Sequence, residues 1–479
     1  WRGAEAMTST IFHGLLPLVV LGVAIVIVML QIAWRRHAGI TQGLALLALI
    51  MAMVALGPSW ALGHVEATAL FVVDGLSRLI SLVLLLGALV TLLLTDRWLR
   101  GQNLESGEFT LLLLLATLGT LVMVHAQHAA SFILGLELLG VSVYTLIAYP
   151  QRHGTSVEAG LKYLVLSSAS TGMLLFGTAL IYAATGALAF VEVGKQLADA
   201  DTVLTSAATV LVVAGMAFKL SLVPFHMWTP DVYEGAPTPV TGFLATASKV
   251  ALIAVIIRWF AATGLGDGSV VNTTLTSLAI ASMVIGNVLA LYQDNLKRLL
   301  AYSSIAHMGY LLIALVLFGG SSTDDLAVQA AVWYLLAYTV ATLAAFAALT
   351  LVAGAGNEAP VRQDLAGLLW RRPILGLLFM VALLSLAGVP LTAGFMGKFY
   401  LVTVSVTAQA WYLLAALVFG SAVSVFYYLR LIFTLVSKDE AGSTAQLDVP
   451  WLSGVAVVGL LVGILMLGVL PGGVAALLV

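Results

Sequence analysis

Residues 15–32 and 111–124 run without a single ionisable side chain, and stretches of this kind recur along the 479 residues of the chain. About 20 such residues span the hydrocarbon core of a bilayer, where every backbone polar group has to find its partner inside the protein. Helices meet that demand. A transmembrane β-barrel would instead show short alternating segments and a polar lumen face. Composition agrees, with 61% hydrophobic and 9% charged residues against roughly 25% charged in a soluble domain. The sequence therefore predicts an all-α polytopic membrane protein with almost no extramembrane domain. Six residues precede Met7, which reads as the natural start.

Cutting the chain at its polar and Gly/Pro-rich breaks gives fourteen expected spans: 11–34, 39–58, 69–95, 108–124, 129–149, 157–184, 206–234, 238–262, 271–292, 297–318, 326–353, 373–405, 410–436 and 451–477. Three of them, 157–184, 206–234 and 373–405, exceed one straight crossing and carry polar or Pro/Gly interruptions, so each is expected to be broken. The distribution of basic residues tests this count. With the N-terminus outside, Arg35, Arg36, Arg97, Arg100, Arg152, Lys297, Arg298, Arg362, Arg371, Arg372, Arg430 and Lys438 all fall at cytoplasmic loops or span ends, and only Arg2 and Lys195 fall outside. Outer loops carry Glu66, Glu192, Asp199, Asp201, Asp267, Asp324 and Asp325 instead. That asymmetry predicts fourteen helices with both termini on the outer face of the membrane.

Several charges nevertheless lie within the spans. Glu137 in FILGLELLG, Lys219 in GMAFKLSLVPF and Lys249 in TASKVALIA sit centrally, and Lys398 in GFMGKFYLV completes a series of deeply placed lysines. A charge at mid-bilayer costs about 2.5–3.5 kcal/mol on insertion scales, so it faces protein or water. A lone membrane lysine can snorkel or tie helices through a fixed pair. Snorkelling reaches only from helix ends, and Glu137 and Glu158 are too few to neutralise Lys162, Lys219, Lys249 and Lys398 permanently. Burial favours the neutral form of an amine and a nearby carboxylate favours its charged form. A series of such lysines with a movable acid nearby meets the physical requirement for a coupled proton carrier.

Other ionisable groups admit two readings each. Glu158 and Lys162, at i and i+4, form either an ion pair at the start of their helix or a gate in which Lys162 is shared between Glu158 and Glu137. Asp74 and Arg78 repeat the spacing near the outer end of their span and read as a structural pair. Arg258 reads as an anchor. His226 and His307 are either relay members between lysines or hydrogen-bonded structural residues. His125 and His128 stand three apart without a nearby carboxylate, which argues against a metal site. Absence of cysteine excludes thiolate iron–sulfur clusters and disulfides, and a net charge of −2 gives no hint of a nucleic-acid partner.

Short internal matches suggest two halves. LSLVP at 220–224 resembles LSLAGVP at 384–390, with Lys219 and Lys398 close by, and LVLSS at 164–168 resembles LAYSS at 300–304, each two residues after the base at Lys162 or Arg298. A five-helix unit inverts when repeated because five is odd. The expected organisation is helices 1–3 over 1–106, a first five-helix repeat over 107–264, a second, inverted one over 265–437, and a last helix over 438–479. Transporters place ion sites at the broken helices of such repeats.

Four motifs carry a resemblance to a known family: KLSLVPFHMWTPDVYEGAPTPVTGFLATASK from Lys219 to Lys249, LGLELLGVSVY around Glu137, DNLKRLLAYSSIAHMGY from Asp294 to Tyr310, and LSLAGVPLTAGFMGKFY ending at Tyr400. The chain resembles the antiporter-like membrane subunits of respiratory complex I, which are shared with Mrp-type cation/proton antiporters and membrane hydrogenases. Lysine at 398 and the lack of a long lateral C-terminal helix match one branch of that family. The resemblance implies roles for Glu137 as the charged partner on the fifth helix, Lys162 on the sixth, Lys219 as the seventh-helix switch, Lys249 as the central relay and Lys398 at the outlet. It places His226 and His307 on the polar axis, with Glu158 and Tyr302 in support. It further implies a non-redox translocase subunit of an NADH:quinone oxidoreductase, with no catalytic centre and no cofactor in this chain. Flavin, iron–sulfur clusters and quinone would belong to sibling subunits, and other membrane-arm subunits, including further antiporter-like ones, would be its partners. A Mrp-type antiporter or a hydrogenase membrane subunit is the alternative.

Overall fold

The computed structural model describes residues 2–151, 154–197, 200–264, 269–318, 324–353, 360–437 and 451–470. Arg152, Asp199, Asp267 and Lys438, and the side chain of Arg2, lie outside them. Helices follow one another as α1 (Arg2–Trp34), α2 (Ala38–Trp60), α3 (Gly75–Gln102), α4 (Gly107–His125), α5 (Ala129–Ile147), α6 (Gly154–Thr185), the short α7 (Phe190–Leu197), α8 (Thr202–Lys219) and α9 (Trp228–Gly235). Then come α10 (Thr238–Thr263), α11 (Ser269–Leu291), α12 (Leu296–Val316), α13 (Asp324–Ala353), the one-turn α14 (Leu368–Arg371), α15 (Pro373–Ala387), α16 (Ala393–Thr407), α17 (Trp411–Val436) and α18 (Trp451–Val469). A two-residue antiparallel hairpin, Val65–Glu66 with Val72–Val73, is the one sheet among the described residues.

Thirteen described helices are long and apolar enough to cross a membrane. The fourteenth expected crossing is the interrupted one, delivered by α15 and α16, each of 15 residues. Of the three expected breaks two are present. The chain leaves helical geometry after Lys219 and resumes at Trp228, with Ser221 in the left-handed region at φ +63°. It does so again between Ala387 and Ala393, with Gly388 at +84° and Leu391 at +72°. Residues 157–184 correct the expectation, because α6 is one continuous helix of 32 residues. It contains no proline, and its hydroxyls bond to backbone carbonyls rather than opening the helix: Thr171 to Ser167 O at 3.2 Å and Ser170 across to Gly215 O on α8 at 3.0 Å.

Burial is uneven across the bundle. In α10, α12 and α13, 94%, 94% and 89% of the most apolar stretch is inside the protein, whereas α1 and α18 bury 28% of theirs. The central trio is enclosed on all sides, so polar groups on it meet protein rather than lipid. Close packing at the flanks relies on glycine. A Cβ on Gly119 of α4 would stand 2.7 Å from Leu139 N on α5, and one on Gly286 of α11 would stand 2.8 Å from Ala306 N on α12, the small-residue contact that lets membrane helices approach.

Charged pairs secure the rims. Arg258, near the outer end of α10, donates to both carboxylate oxygens of Asp74 at 3.0 and 2.8 Å and to Val124 O at 2.8 Å. Asp74 also caps α3, accepting from Ser77 N at 2.7 Å in a capping box. The expected Asp74–Arg78 pair is therefore replaced: Arg78 turns to the end of α2, donating to the carbonyls of Ser59 and Leu62, where the last turn leaves acceptors unpaired. Lys297, expected at the start of its span, lies in the first turn of α12, fully buried, and donates to Ala236 O at 2.7 Å. His125 Nδ1 bonds Leu121 O at 2.9 Å, and His128 Nδ1 accepts from Ala130 N at 3.1 Å.

Breaking the Asp74–Arg258 pair should destabilise the outer end of the bundle. Asn caps a helix as well as Asp does, so Asp74→Asn removes the ion pair alone. The side chains keep 12% and 24% exposure, which puts the expected loss at the lower end of the roughly 3–5 kcal/mol for orphaning a buried partner. Asp74→Ala should lose about 1 kcal/mol more with the cap. Thermal unfolding in detergent checks the order, unmodified above Asn above Ala.

Candidate functional site: a buried lysine, serine and tyrosine axis

Three of the predicted lysines lie inside the bundle, each held by a neutral acceptor. Lys219, the last residue of α8, donates to Ser167 Oγ on α6 at 2.7 Å. Lys249 on α10 is 1% exposed and donates to Ser304 Oγ on α12 at 2.6 Å. Lys398 on α16 donates to Ala387 O at 2.8 Å, the carbonyl where α15 breaks. None of the three has a carboxylate within 4 Å among the described residues. The break explains the placement of Lys398, since a lysine beside an interrupted helix finds a backbone acceptor that an intact helix would already have used; Lys219 and Lys249 rest on serine hydroxyls instead.

Glu137 is half-buried on α5 and forms no ion pair among the described residues, although it is the carboxylate whose field reaches Lys219. Its helix neighbours Leu136, Leu139 and Gly140 line a small cavity with Lys219, Tyr163, Ser248 and Leu252. Lys162 lies elsewhere, at the rim. It bonds Glu158 at 2.8 Å, as its spacing predicts, but its second carboxylate is Asp231 of α9 at 2.9 Å rather than Glu137. Asp231 in turn binds Arg298 of α12 at 2.8 Å, and Arg298 binds Glu234 at 2.8 Å. This charged junction joins α6, α9 and α12. Both acids stand in the quoted DVYEG stretch, but a partner 67 residues away leaves no periodic trace in sequence.

His307 of α12 takes Tyr334 Oη on Nδ1 at 2.6 Å and Tyr428 Oη on Nε2 at 3.3 Å. Tyr428 is also hydrogen-bonded to Ser303. Together His307, Tyr334, Tyr338, Ser385, Gly394 and Lys398 line a second small cavity. Lys398 Nζ stands 5.3 Å from the centre of the Tyr310 ring, whose hydroxyl accepts from Asn287 at 2.8 Å, while Tyr427 donates to Asn287 Oδ1 at 3.1 Å. The tyrosines were missed in the sequence, yet Tyr334 and Tyr338, four apart on α13, and Ser304, His307 and Tyr310, three apart on α12, present one helix face each. His226 joins none of these bonds; it lies in the α8–α9 connection with Nδ1 buried and unpartnered. Tyr302 is half-buried and makes no side-chain hydrogen bond among the described residues.

Lysines at two interrupted helices and on an enclosed helix between them, each held by a hydroxyl or a backbone carbonyl, define a polytopic membrane protein with protonatable groups buried in its interior. The chain belongs to the NADH:quinone oxidoreductase/Mrp antiporter transmembrane family, whose model matches residues 126–424. It is 45% identical over 443 residues, 91% of this chain and 89% of the relative, to NADH-quinone oxidoreductase subunit N of Ectopseudomonas mendocina (strain ymp). A chain of respiratory complex I from Thermus thermophilus with bound aureothin is similar at 37% identity and a TM-score of 0.82, covering 96% of this chain and 98% of that one. The Mrp complex from Dietzia sp. DQ12-45-1b shares the fold, with a TM-score of 0.78 at 21% identity over 98% of this chain and 96% of that one.

The junction at Asp231 is half-exposed, so its worth to stability is small, of the order of 1 kcal/mol or less. Asp231→Asn should leave the fold and assembly intact while leaving Lys162 with Glu158 alone and Arg298 with Glu234 alone. About 1 kcal/mol of altered electrostatics would slow proton transfer about fivefold. Proton uptake by vesicles holding the assembled complex, read beside its thermal stability, checks both halves of this expectation.

Proposed function

We propose that this chain is the antiporter-like, proton-translocating membrane-arm subunit of an NADH:quinone oxidoreductase, matching subunit N of that enzyme. The supporting observation is the juxtaposition of homology over nine-tenths of the chain with Lys219, Lys249 and Lys398 held by Ser167, Ser304 and Ala387 O. A lysine whose partner is a hydroxyl or carbonyl can lose its proton without stranding a buried carboxylate, which a fixed salt bridge would not allow. Glu137 is the movable acid: a change in its charge or distance alters the proton affinity of Lys219. Lys219 then alters Lys249 in the same way, and Lys398 receives the proton at the outlet side. His307 lies between the last two, bonded to tyrosines that lead toward the cavity at Lys398. His226 and Tyr302 belong to the reading as supporting groups, Glu158 through its pair with Lys162.

In this reading the driving reaction takes place in sibling subunits, which hold flavin, iron–sulfur clusters and quinone, and this chain has no catalytic centre. Both termini face the periplasm. One break lies within each of the halves 107–264 and 265–437, which this reading relates as inverted repeats. A Mrp-type antiporter would use the same lysines; likeness to the Mrp complex extends to the fold, whereas the identity of 45% is to a subunit of the quinone-reducing enzyme.

Two measurements test the proposal. A tag on this chain should draw NADH-to-ferricyanide activity out of gently solubilised native membranes; an intact eluate without it points to an antiporter or hydrogenase. In the assembled complex Lys219→Ala should lower the protons pumped per electron, and an unchanged stoichiometry would refute the role given to Lys219.

A further inference from the structure

The hydrogen bonds around Lys249 have a direction. Tyr338 donates its one hydroxyl proton to Ala245 O at 3.0 Å. The contact between Ser304 Oγ and Tyr338 Oη at 2.6 Å must then be donated by Ser304, whose oxygen accepts from Lys249 at 2.6 Å. The chain runs from Lys249 through Ser304 and Tyr338 to a carbonyl, and a carbonyl cannot carry a proton onward. Ala245 lies in the turn Leu244–Ser248, which is π-helical and directly precedes Lys249. Widened turns of this kind turn carbonyls off the helix axis and recur at functional sites. Beyond Tyr338 the path resumes: its ring is 5.4 Å from that of His307, and both rings line the cavity reached by Lys398.

The geometry points to Tyr338 as the gate between Lys249 and Lys398, closed while its hydroxyl donates to Ala245 O and open when that hydroxyl turns into the cavity. This rests on the reading of the chain as a proton carrier and names a relay group that reading lacks. In the open arrangement Lys249 gives a proton to Ser304 Oγ, Ser304 gives its own to Tyr338 Oη, and Tyr338 gives its own to a water molecule in the cavity. That water protonates the Lys398 amine. Lys249 ends as the neutral amine, Lys398 as the ammonium, and both hydroxyls are regenerated. Turning one O–H bond opens the path while every heavy atom stays in place. The wire thus closes itself whenever Tyr338 returns to the π turn, which prevents a proton on Lys398 from running back.

The test uses the complex assembled with its own partner subunits, in lipid vesicles energised with NADH, with pumped protons and NADH oxidation recorded together. Tyr338→Phe should lose the same share of pumped protons as Lys249→Ala. Replacing Tyr338 with 3,5-difluorotyrosine keeps the shape and makes the hydroxyl more acidic, so the pH profile of pumping should move to lower pH; a group with only a structural role would leave the profile in place. Should Tyr338→Phe fail to assemble, the fluorinated variant decides. Pumping by Tyr338→Phe equal to that of the unmodified complex, with Lys249→Ala impaired, overturns the gate and leaves the function standing. Normal pumping by Lys249→Ala overturns the lysine path itself.

Discussion

Inside a bilayer a backbone N–H or C=O without a partner costs several kcal/mol, and this single constraint shapes the places where the chain departs from helix. Each interruption frees such groups, and several are met by side chains. Val223 N finds Ser282 Oγ on α11 at 3.0 Å. Gly394 N finds Ser385 Oγ at 3.0 Å, and Ala387 O takes the Lys398 ammonium. Lys297 serves Ala236 O in the same manner at the turn between α9 and α10. Lys398 and Lys297 are therefore tied to the ends of helices by backbone chemistry, while Lys219 and Lys249 rest on serine hydroxyls. A lysine satisfies a carbonyl that would otherwise be stranded, and the carbonyl holds the lysine without cancelling its charge.

Two electrostatic regimes follow. At the rims, cations meet carboxylates: Arg258 with Asp74, Lys162 with Glu158 and Asp231, Arg298 with Asp231 and Glu234, Arg36 with Glu108 at 2.8 Å. There the pairs fix helix ends, where water and partners share the load of solvating charge. Along the axis, cations meet hydroxyls and carbonyls, and carboxylates are absent from their first contacts among the described residues. A full salt bridge at that depth would be a trap for the proton, because each transfer would have to break it. Fixed charge pairs thus stay at the rim, and the axis keeps its cations on neutral acceptors, the division that the proposed movement of charge through a rigid bundle needs.

Much of this was legible in the sequence. Apolar run length and the asymmetry of basic residues give the helices, and Pro224 and Pro390 inside apolar runs mark the two true breaks. The expected break in 157–184 failed because Ser167, Ser170 and Thr171 look like interruptions in hydropathy, yet their hydroxyls find partners without opening the helix: Thr171 folds back on Ser167 O, Ser170 reaches Gly215 O on α8, and Ser167 accepts from Lys219. Glu137, Lys219, Lys249 and Lys398 stand out because a charge in an apolar run is expensive wherever it points. Partners are another matter. Arg258 reaches Asp74 across 184 positions, and Asp231 collects Lys162 and Arg298 from 69 and 67 positions away. Such pairings are set by helix packing, and local spacing put Asp74 with the wrong arginine.

Tyrosine was the residue type that hydropathy hid. Tyr334, Tyr338, Tyr427 and Tyr428 count as apolar filling, and their rings do fill the core around α12 and α13. Their hydroxyls nevertheless supply most of the bonds between Ser303, Ser304, His307 and Asn287. A hydroxyl both donates and accepts, so it can take a proton on one side and give another away without becoming charged in either resting state. Lysine lacks an acceptor in its charged form, and a backbone carbonyl never donates. A path made of lysines and carbonyls alone would stop at every junction. In the proposed relay the serines and tyrosines would be the conducting members and the lysines the storage sites, with the direction of each hydroxyl deciding which lysines are in contact at a given moment.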